Sequence, residues 1–225
     1  MPHLPGFALK DGSIYALPVD RLWRRFDLYP SGFSRESFTV YCAVSPLYVP
    51  DTRTACPFGL GDRLPILAGL GDRWWTWQPG GEEAEATMMG DLRELMINVG
   101  VPHLRELRDP AAVAERLLNY PKHVDDPNVA EALAYSLILA GSYELAREKL
   151  RLLRSITLED EERPAWWADL HAGSRKPPNE DWVIVVGKRG AAVAEALEQS
   201  PQTAVALLDE WNEEQLAALR LPRSA

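Results

Sequence analysis

Long apolar runs are missing from this chain, and so is any framework of cysteines. A bilayer-spanning helix needs ~20 consecutive apolar residues, whereas the longest candidate, residues 129–140, is shorter than that and carries Glu131. The first residues, MPHLPGFALKDG, hold neither a basic cluster nor an apolar run, so no secretory leader is expected. Two cysteines in 225 residues make no disulfide scaffold. Cys42 sits within an apolar stretch and Cys56 precedes Pro57; a bridge between them is left open. These absences together lead to the expectation of a cytoplasmic protein without a membrane segment.

Chemical signatures are scarce as well. The four histidines, His3, His103, His123 and His171, lie far apart, and no His-Glu-x-x-His occurs, so no zinc site is readable. No Gly-x-Ser-x-Gly elbow is present. Gly59, Gly61, Gly69 and Gly71 match neither a phosphate loop nor a dinucleotide fingerprint, because no Gly-Lys-Ser/Thr follows and the spacing is wrong. A cysteine inside an apolar strand is ordinarily inert core rather than a nucleophile. No cofactor and no metal are expected.

Charge of one sign is short in the second part of the chain. Residues 1–80 hold eight Lys or Arg against seven Asp or Glu, and residues 81–225 hold sixteen against twenty-six, giving the net −9. An acidic surface repels phosphate and attracts basic partners. Nucleic acid is therefore disfavoured as a partner and a basic protein favoured.

The chain has instead eighteen prolines, eight tryptophans and a clear change of period. Its organising stretch is FTVYCAVSPLYVP, residues 38–50, in which Phe38, Val40, Cys42 and Val44 alternate with Thr39, Tyr41, Ala43 and Ser45. That is the period of a central strand buried on both faces, closed by Pro46 and Pro50. Upstream, FALKDGSIYAL around Asp11-Gly12 reads as a hairpin, since a type I′ turn needs positive φ at its centre. Residues 22–29 read as a further strand. In the glycine-rich middle, short strands are expected at residues 64–67 and 74–77, with Trp74 and Trp77 packed and Trp75 facing outward or onto a helix.

From Glu82 the spacing becomes helical. Ala84, Met88, Leu92, Leu95, Met96 and Val99 mark one amphipathic helix ended by Gly100. Pro102 opens a short helix, and Asp109-Pro110 and Asp126-Pro127 start two more as cap-and-proline pairs. Residues 128–154 have the small-residue and aromatic spacing of one tetratricopeptide-like hairpin, expected to cover a sheet; a single unit makes no array. The acid run at 159–162 reads as a helix start. Residues 182–186, Trp-Val-Ile-Val-Val, read as a late strand turned by Gly187 to Gly190 into a helix over 191–199. Ser200-Pro201 starts another, and Asn212 with Gln215 resembles a capping box for the last turns.

The predicted fold class is α+β: an antiparallel-rich N-terminal sheet over 1–80, packed against a helical C-terminal part with helices over 82–172 and the late strand plus helices over 182–221, all in a single domain. Strands followed by helices, rather than alternating with them, point to this class. The segments PLYVP at 46–50, FGLGDRL at 58–64, Trp-Thr-Trp at 75–77 and LDEWNEEQLAAL at 208–219 resemble a bacterial α+β domain family of unknown function. That resemblance implies a mixed sheet followed by helices and carries no catalytic residues. In general character such small acidic proteins are similar to the immunity proteins that neutralise toxins.

One constellation stands out. Arg53, Arg63 and Arg73 lie among Asp51, Asp62 and Asp72 beside Trp74, Trp75 and Trp77, within a twice-used Leu-Gly-Asp-Arg. Arginine beside tryptophan is the composition of interaction hot spots, although each Asp-Arg pair could equally serve its own turn. The expected function is that of a non-enzymatic protein-binding module, of immunity or regulatory type, using these residues. The alternative is an enzyme with a scattered site in the same segment.

Overall fold

The computed structural model describes residues 4–34, 36–50, 59–77, 81–119, 126–157 and 182–222. These divide into two compact units: the described residues within 1–47, 58–109 and 216–225 form one, and those within 48–57 and 110–215 the other. The chain is α+β, an antiparallel N-terminal sheet and a helical C-terminal part. No helix among the described residues is long and apolar enough to cross a membrane.

The first unit is built on strands β1 (Phe7–Lys10), β2 (Ser13–Ala16), β3 (Leu22–Pro30), β4 (Ser37–Pro46), β5 (Leu60–Arg63) and β6 (Trp75–Thr76). They run antiparallel in the order β1-β2-β3-β4-β5, with β6 also on β4. The β1-β2 turn is the expected one, with Asp11 at φ 49° and Gly12 at φ 87°. β4 is buried on both sides, as its alternation demands. Val40, Cys42 and Val44 lie on one face and Thr39, Ala43 and Ser45 on the other, and all six are buried.

The register explains both faces. Phe26 pairs with Ile14 and Cys42, and Leu28 with Val40, so the first face is an apolar surface. The second face carries Tyr15, which packs with Val19, Leu47, Leu216 and Leu221. Lys10 fixes the C-terminal segment there by donating from Nζ to the Leu219 carbonyl at 2.7 Å and the Arg220 carbonyl at 2.5 Å. That segment ends in a helix-stop motif: Leu221 N donates to Leu216 O and Arg220 N to Ala217 O, with Arg220 at φ 51°. A largely buried polar chain crosses the same face, in which Arg25 donates to the partly exposed Asp27 at 2.6 Å and to buried Ser45 at 2.8 Å. Its guanidinium stacks 3.9 Å above the Trp23 ring.

Helices α1 (Leu64–Leu67), α2 (Glu82–Leu95) and α3 (Val101–Glu106) complete this unit. Residues 64–67 are thus helical and not the expected strand. Pro65 suits a first helical turn and Gly69, at φ 72°, supplies its stop. The expected end of α2 at Gly100 is also corrected, because the chain passes from α2 through a π turn, Met96–Gly100, straight into α3. Glycine serves close approach there: an added Cβ would lie 2.3 Å from Phe26 Cε1 and 3.1 Å from Leu64 Cδ1.

The second unit contains α4 (Pro110–Leu118), α5 (Pro127–Leu139), α6 (Tyr143–Thr157), α7 (Trp182–Gln199) and most of α8 (Pro201–Ala218). Asp126 caps α5 by accepting from Asn128 N at 2.9 Å, and Ser200 caps α8 by accepting from Thr203 N at 3.0 Å. Gly141, at φ 78°, closes α5. The expected α5-α6 hairpin is present, and among the described residues of its own unit it packs with helices rather than with a sheet. Every residue of α5 from Val129 to Ile138 is buried; its small residues let neighbouring helices close on all sides.

Two further expectations are overturned here. Residues 182–186 are the first turns of α7, not a strand, and Gly187 and Gly190 lie inside that helix. Buried Val186, Gly190, Val193 and Leu197 recur at helical spacing, and Val186 packs with Ala130 and Leu153. A β-branched apolar run reads alike as strand or helix until its partner surface is known. Asn212 is buried within α8 rather than capping a new turn. The acid run at 159–162 lies outside the described residues.

The second unit buries the carboxylate of one ion pair, Glu131, fully, and its partner Arg189 in large part. Arg189 of α7 donates from Nε and Nη2 to the two carboxylate oxygens of Glu131, each at 2.7 Å, and from Nη1 to the Pro50 carbonyl at 2.7 Å. Tyr135 also donates to Glu131, at 3.0 Å. Burial pushes the Glu131 carboxyl above its ordinary range, against the pull of Arg189 and Tyr135. Tyr48 and Ser136 share a buried hydrogen bond at 2.7 Å, so two contacts tie residues 48–50 to α5 and α7.

Two predictions follow from these contacts. Gly100→Ala should destabilise the first unit by roughly 1–3 kcal/mol, the usual cost of overpacking. Gly90→Ala, with nothing within 4 Å of the new methyl, should stabilise by roughly 0.5–1 kcal/mol; urea unfolding of both variants measures the difference. Arg189→Met should cost roughly 3–5 kcal/mol, because it strands a buried carboxylate. It should also make stability fall as pH rises. With its folded-state pKa raised further, Glu131 holds a proton that the unfolded chain has released above its ordinary carboxylate pKa, so the folded state loses ground from there upward. Unfolding of the variant at about pH 5 and about pH 8 should show this slope, and Glu131→Gln/Arg189→Met should lack it.

Candidate functional site

The glycine-rich middle folds into one corner of the first unit. β5 holds Arg63 opposite Tyr41 of β4. The chain then turns through α1 and returns by Asp72 and Arg73 into β6, where Trp75 pairs with Phe38. The repeated Leu-Gly-Asp-Arg gains a structural meaning from this path. Arg63 of the first copy bonds Asp72 of the second, so the copies close on each other rather than each on its own turn. Asp62 accepts from the Arg63 backbone at 2.7 Å, and the Arg63 guanidinium lies 5.7 Å from the Trp74 ring.

Arg73 has more freedom. Its side chain is 44% exposed and meets Asp91 of α2 at a long 3.4 Å, with its guanidinium 5.7 Å from the Trp75 ring. Exposed ion pairs of this kind contribute little to stability, so the arginine is available to another acceptor. Trp77 is 45% exposed, and its backbone donates to the Glu36 carbonyl at 2.6 Å.

The tryptophans are arranged the other way round from the expectation. Trp75 is the packed one, 4% exposed and stacked on Phe38 with ring centroids 6.0 Å apart, whereas Trp77 faces outward. The two-residue strand begins at Trp75, not Trp74, which sets the parity of the whole run. Arg73, Trp74, Trp75 and Trp77 line a cleft of about 260 Å³ whose far wall is Ala84, Glu85 and Met88 of α2. Trp75 Nε1 has no hydrogen-bond partner among the described residues. Arg63 stands behind this cleft, held by Asp72, and Arg53 lies outside the described residues.

Among the described residues of this corner none are arranged as a nucleophile and base. Among the described residues no group of three or more His, Cys, Asp or Glu side chains is placed to hold a metal ion. Cys42 is free and buried, its Sγ 3.6 Å from the Gly100 carbonyl; Cys56 is outside the described residues. The Arg25, Asp27 and Ser45 chain, unforeseen in the sequence, joins buried Arg25 and Ser45 to a partly exposed Asp27, and it reads as a device that fixes β3 against β4. Its only sequence signal was arginine in an apolar strand.

Burial first, and the Asp27 charge second, push the Cys42 thiol up to about 12. The thiolate is the reactive form, so native Cys42 should resist iodoacetamide, and peptide mapping should show it labelled only at the rate of unfolding. No family model, no curated protein and no solved structure matches this chain.

Proposed function

We propose that the protein is a non-enzymatic binding module that captures a protein partner at the corner formed by Arg73, Trp74 and Trp77. The observation that carries this reading is the pairing of exposed Arg73 with exposed Trp77 on one cleft, carried by short, turn-rich segments against a rigid sheet. Planar donors beside a large apolar ring concentrate binding energy, and segments that connect strands on such a scaffold are where recognition is usually placed. Trp75 supports the site from beneath, its buried ring setting where its neighbours project. The partner class follows from charge: Glu82, Glu83 and Glu85 open α2, next to the cleft, and the chain is acidic overall, so a basic protein is favoured. An immunity or regulatory role fits a small acidic binder whose site contains no catalytic arrangement.

The corner makes a sharp division between binding and packing. Arg73→Ala/Trp77→Ala should leave the melting temperature within a few degrees while abolishing capture of a partner from lysate of the source cell; the capture by the unaltered protein should weaken with salt. Trp75→Ala removes a stacked core ring and should cost roughly 3–5 kcal/mol. Undiminished capture by the double variant would overturn the reading.

A further inference from the structure

A second cavity of the first unit, about 430 Å³, lies between the apolar face of the sheet and α2. Its floor is Phe26, Leu28, Phe38 and Val40, and its roof is Met89, Leu92 and Met96. The size falls within the range of about 300–1,000 Å³ usual for small-molecule sites. Protein interiors otherwise hold few voids larger than a water molecule.

Two features show that this space is an entrance and not a packing fault. The first half of α2 contributes no buried side chain, Leu92 being the one buried residue of the helix, so the helix stands off the sheet where the cavity opens. Leu28 and Trp77, 46% and 45% exposed, are left half in solvent at that end. The roof is largely methionine, whose unbranched thioether adapts to the shape of what it covers.

Charge decides the chemistry of the occupant. Among the described residues the ionisable side chains lining the cavity are Glu36 and Glu85, with no lysine, arginine or histidine beside them, and neither glutamate enters an ion pair there. Trp77 belongs to the same lining, its backbone N–H donating to the Glu36 carbonyl at 2.6 Å, and an indole face attracts a cation. Two carboxylates and an indole around an apolar hole form a receptor for an ammonium group on a hydrocarbon body. We propose that this cavity binds a small apolar amine, its hydrocarbon between the sheet and α2 and its ammonium at Glu36, Glu85 and Trp77. The proposal does not rest on partner capture: the two spaces share Trp77 and Glu85, but Arg73 lines only the neighbouring cleft.

Calorimetric titration of the full chain near neutral pH with n-octylamine, n-octanol and n-octanoate tests it, since the three share a body and differ in head group. The amine should bind about tenfold or more tighter than the alcohol, and the carboxylate weakest. Glu36→Gln/Glu85→Gln should bring the amine down to the level of the alcohol and leave the alcohol unchanged. Met89→Trp, which fills the cavity, should lose both, and Arg73→Ala should not weaken the amine. Absence of octylamine binding at millimolar concentration, equal binding of amine and carboxylate, or unchanged binding of amine to a folded Met89→Trp variant would each overturn the proposal. Failure of the amine to bind would leave partner capture standing.

Discussion

A strand buried on both faces has no solvent side on which to place a charge or an error, and β4 is such a strand. All other parts of the first unit are arranged to supply its two coverings. On one face the α2, π-turn and α3 segment provides apolar cover, and contact there is so close that Gly100 has no room for a methyl group beside Phe26. On the other, Tyr15, Leu47 and the C-terminal leucines cover it, while Arg25 reaches along the strand pair to satisfy Asp27 and Ser45. Low-dielectric surroundings strengthen such a chain only when every member is satisfied.

The second unit solves the same problem with a helix. α5 is buried all round, so its surface is small and apolar, apart from Glu131, Tyr135 and Ser136. Each of those three finds a partner: Arg189 and Tyr135 for Glu131, and Tyr48 for Ser136. A buried carboxylate is tolerated because a bidentate guanidinium meets it in the geometry it prefers. The arrangement is specific as well as stable, since only one rotation of α7 brings Arg189 to Glu131 and Gly190 to Leu153.

The candidate site takes its character from what these cores leave unused. Trp75 is consumed by packing on Phe38, and Arg63 by Asp72. Arg73 and Trp77, one on each side of Trp75, remain with half their surface in water. The small cleft beside them and the larger cavity share Trp77 and Glu85, so α2 forms a wall of both. That wall is also the least packed helix of the unit in its first half. Recognition surfaces are drawn from regions of low local stability, because a segment that must meet a ligand cannot also be fully committed to the core.

The chain by itself determined whatever depends on neighbours in sequence. Alternation placed β3 and β4, Asp11-Gly12 placed the first hairpin, and Asp126-Pro127 and Ser200-Pro201 placed two helix starts, because strand pleat, positive φ and capping hydrogen bonds are all settled within a few residues. The Arg and Trp composition of the corner was legible for the same reason, being a cluster in sequence. Tertiary structure alone decided the rest. Residues 182–186 are helical because Val186 and Gly190 meet Ala130 and Leu153, a surface some tens of residues away; the helical path continues past Gly100 into α3 because a glycine was needed against Phe26, not as a stop. Which tryptophan is core and which is exposed depended on β6 beginning at Trp75, a one-residue matter of register that exchanges the two faces of a strand. Glu131 and Arg189 found each other across 58 residues, and no local pattern announces a pair whose only link is the folded chain between them.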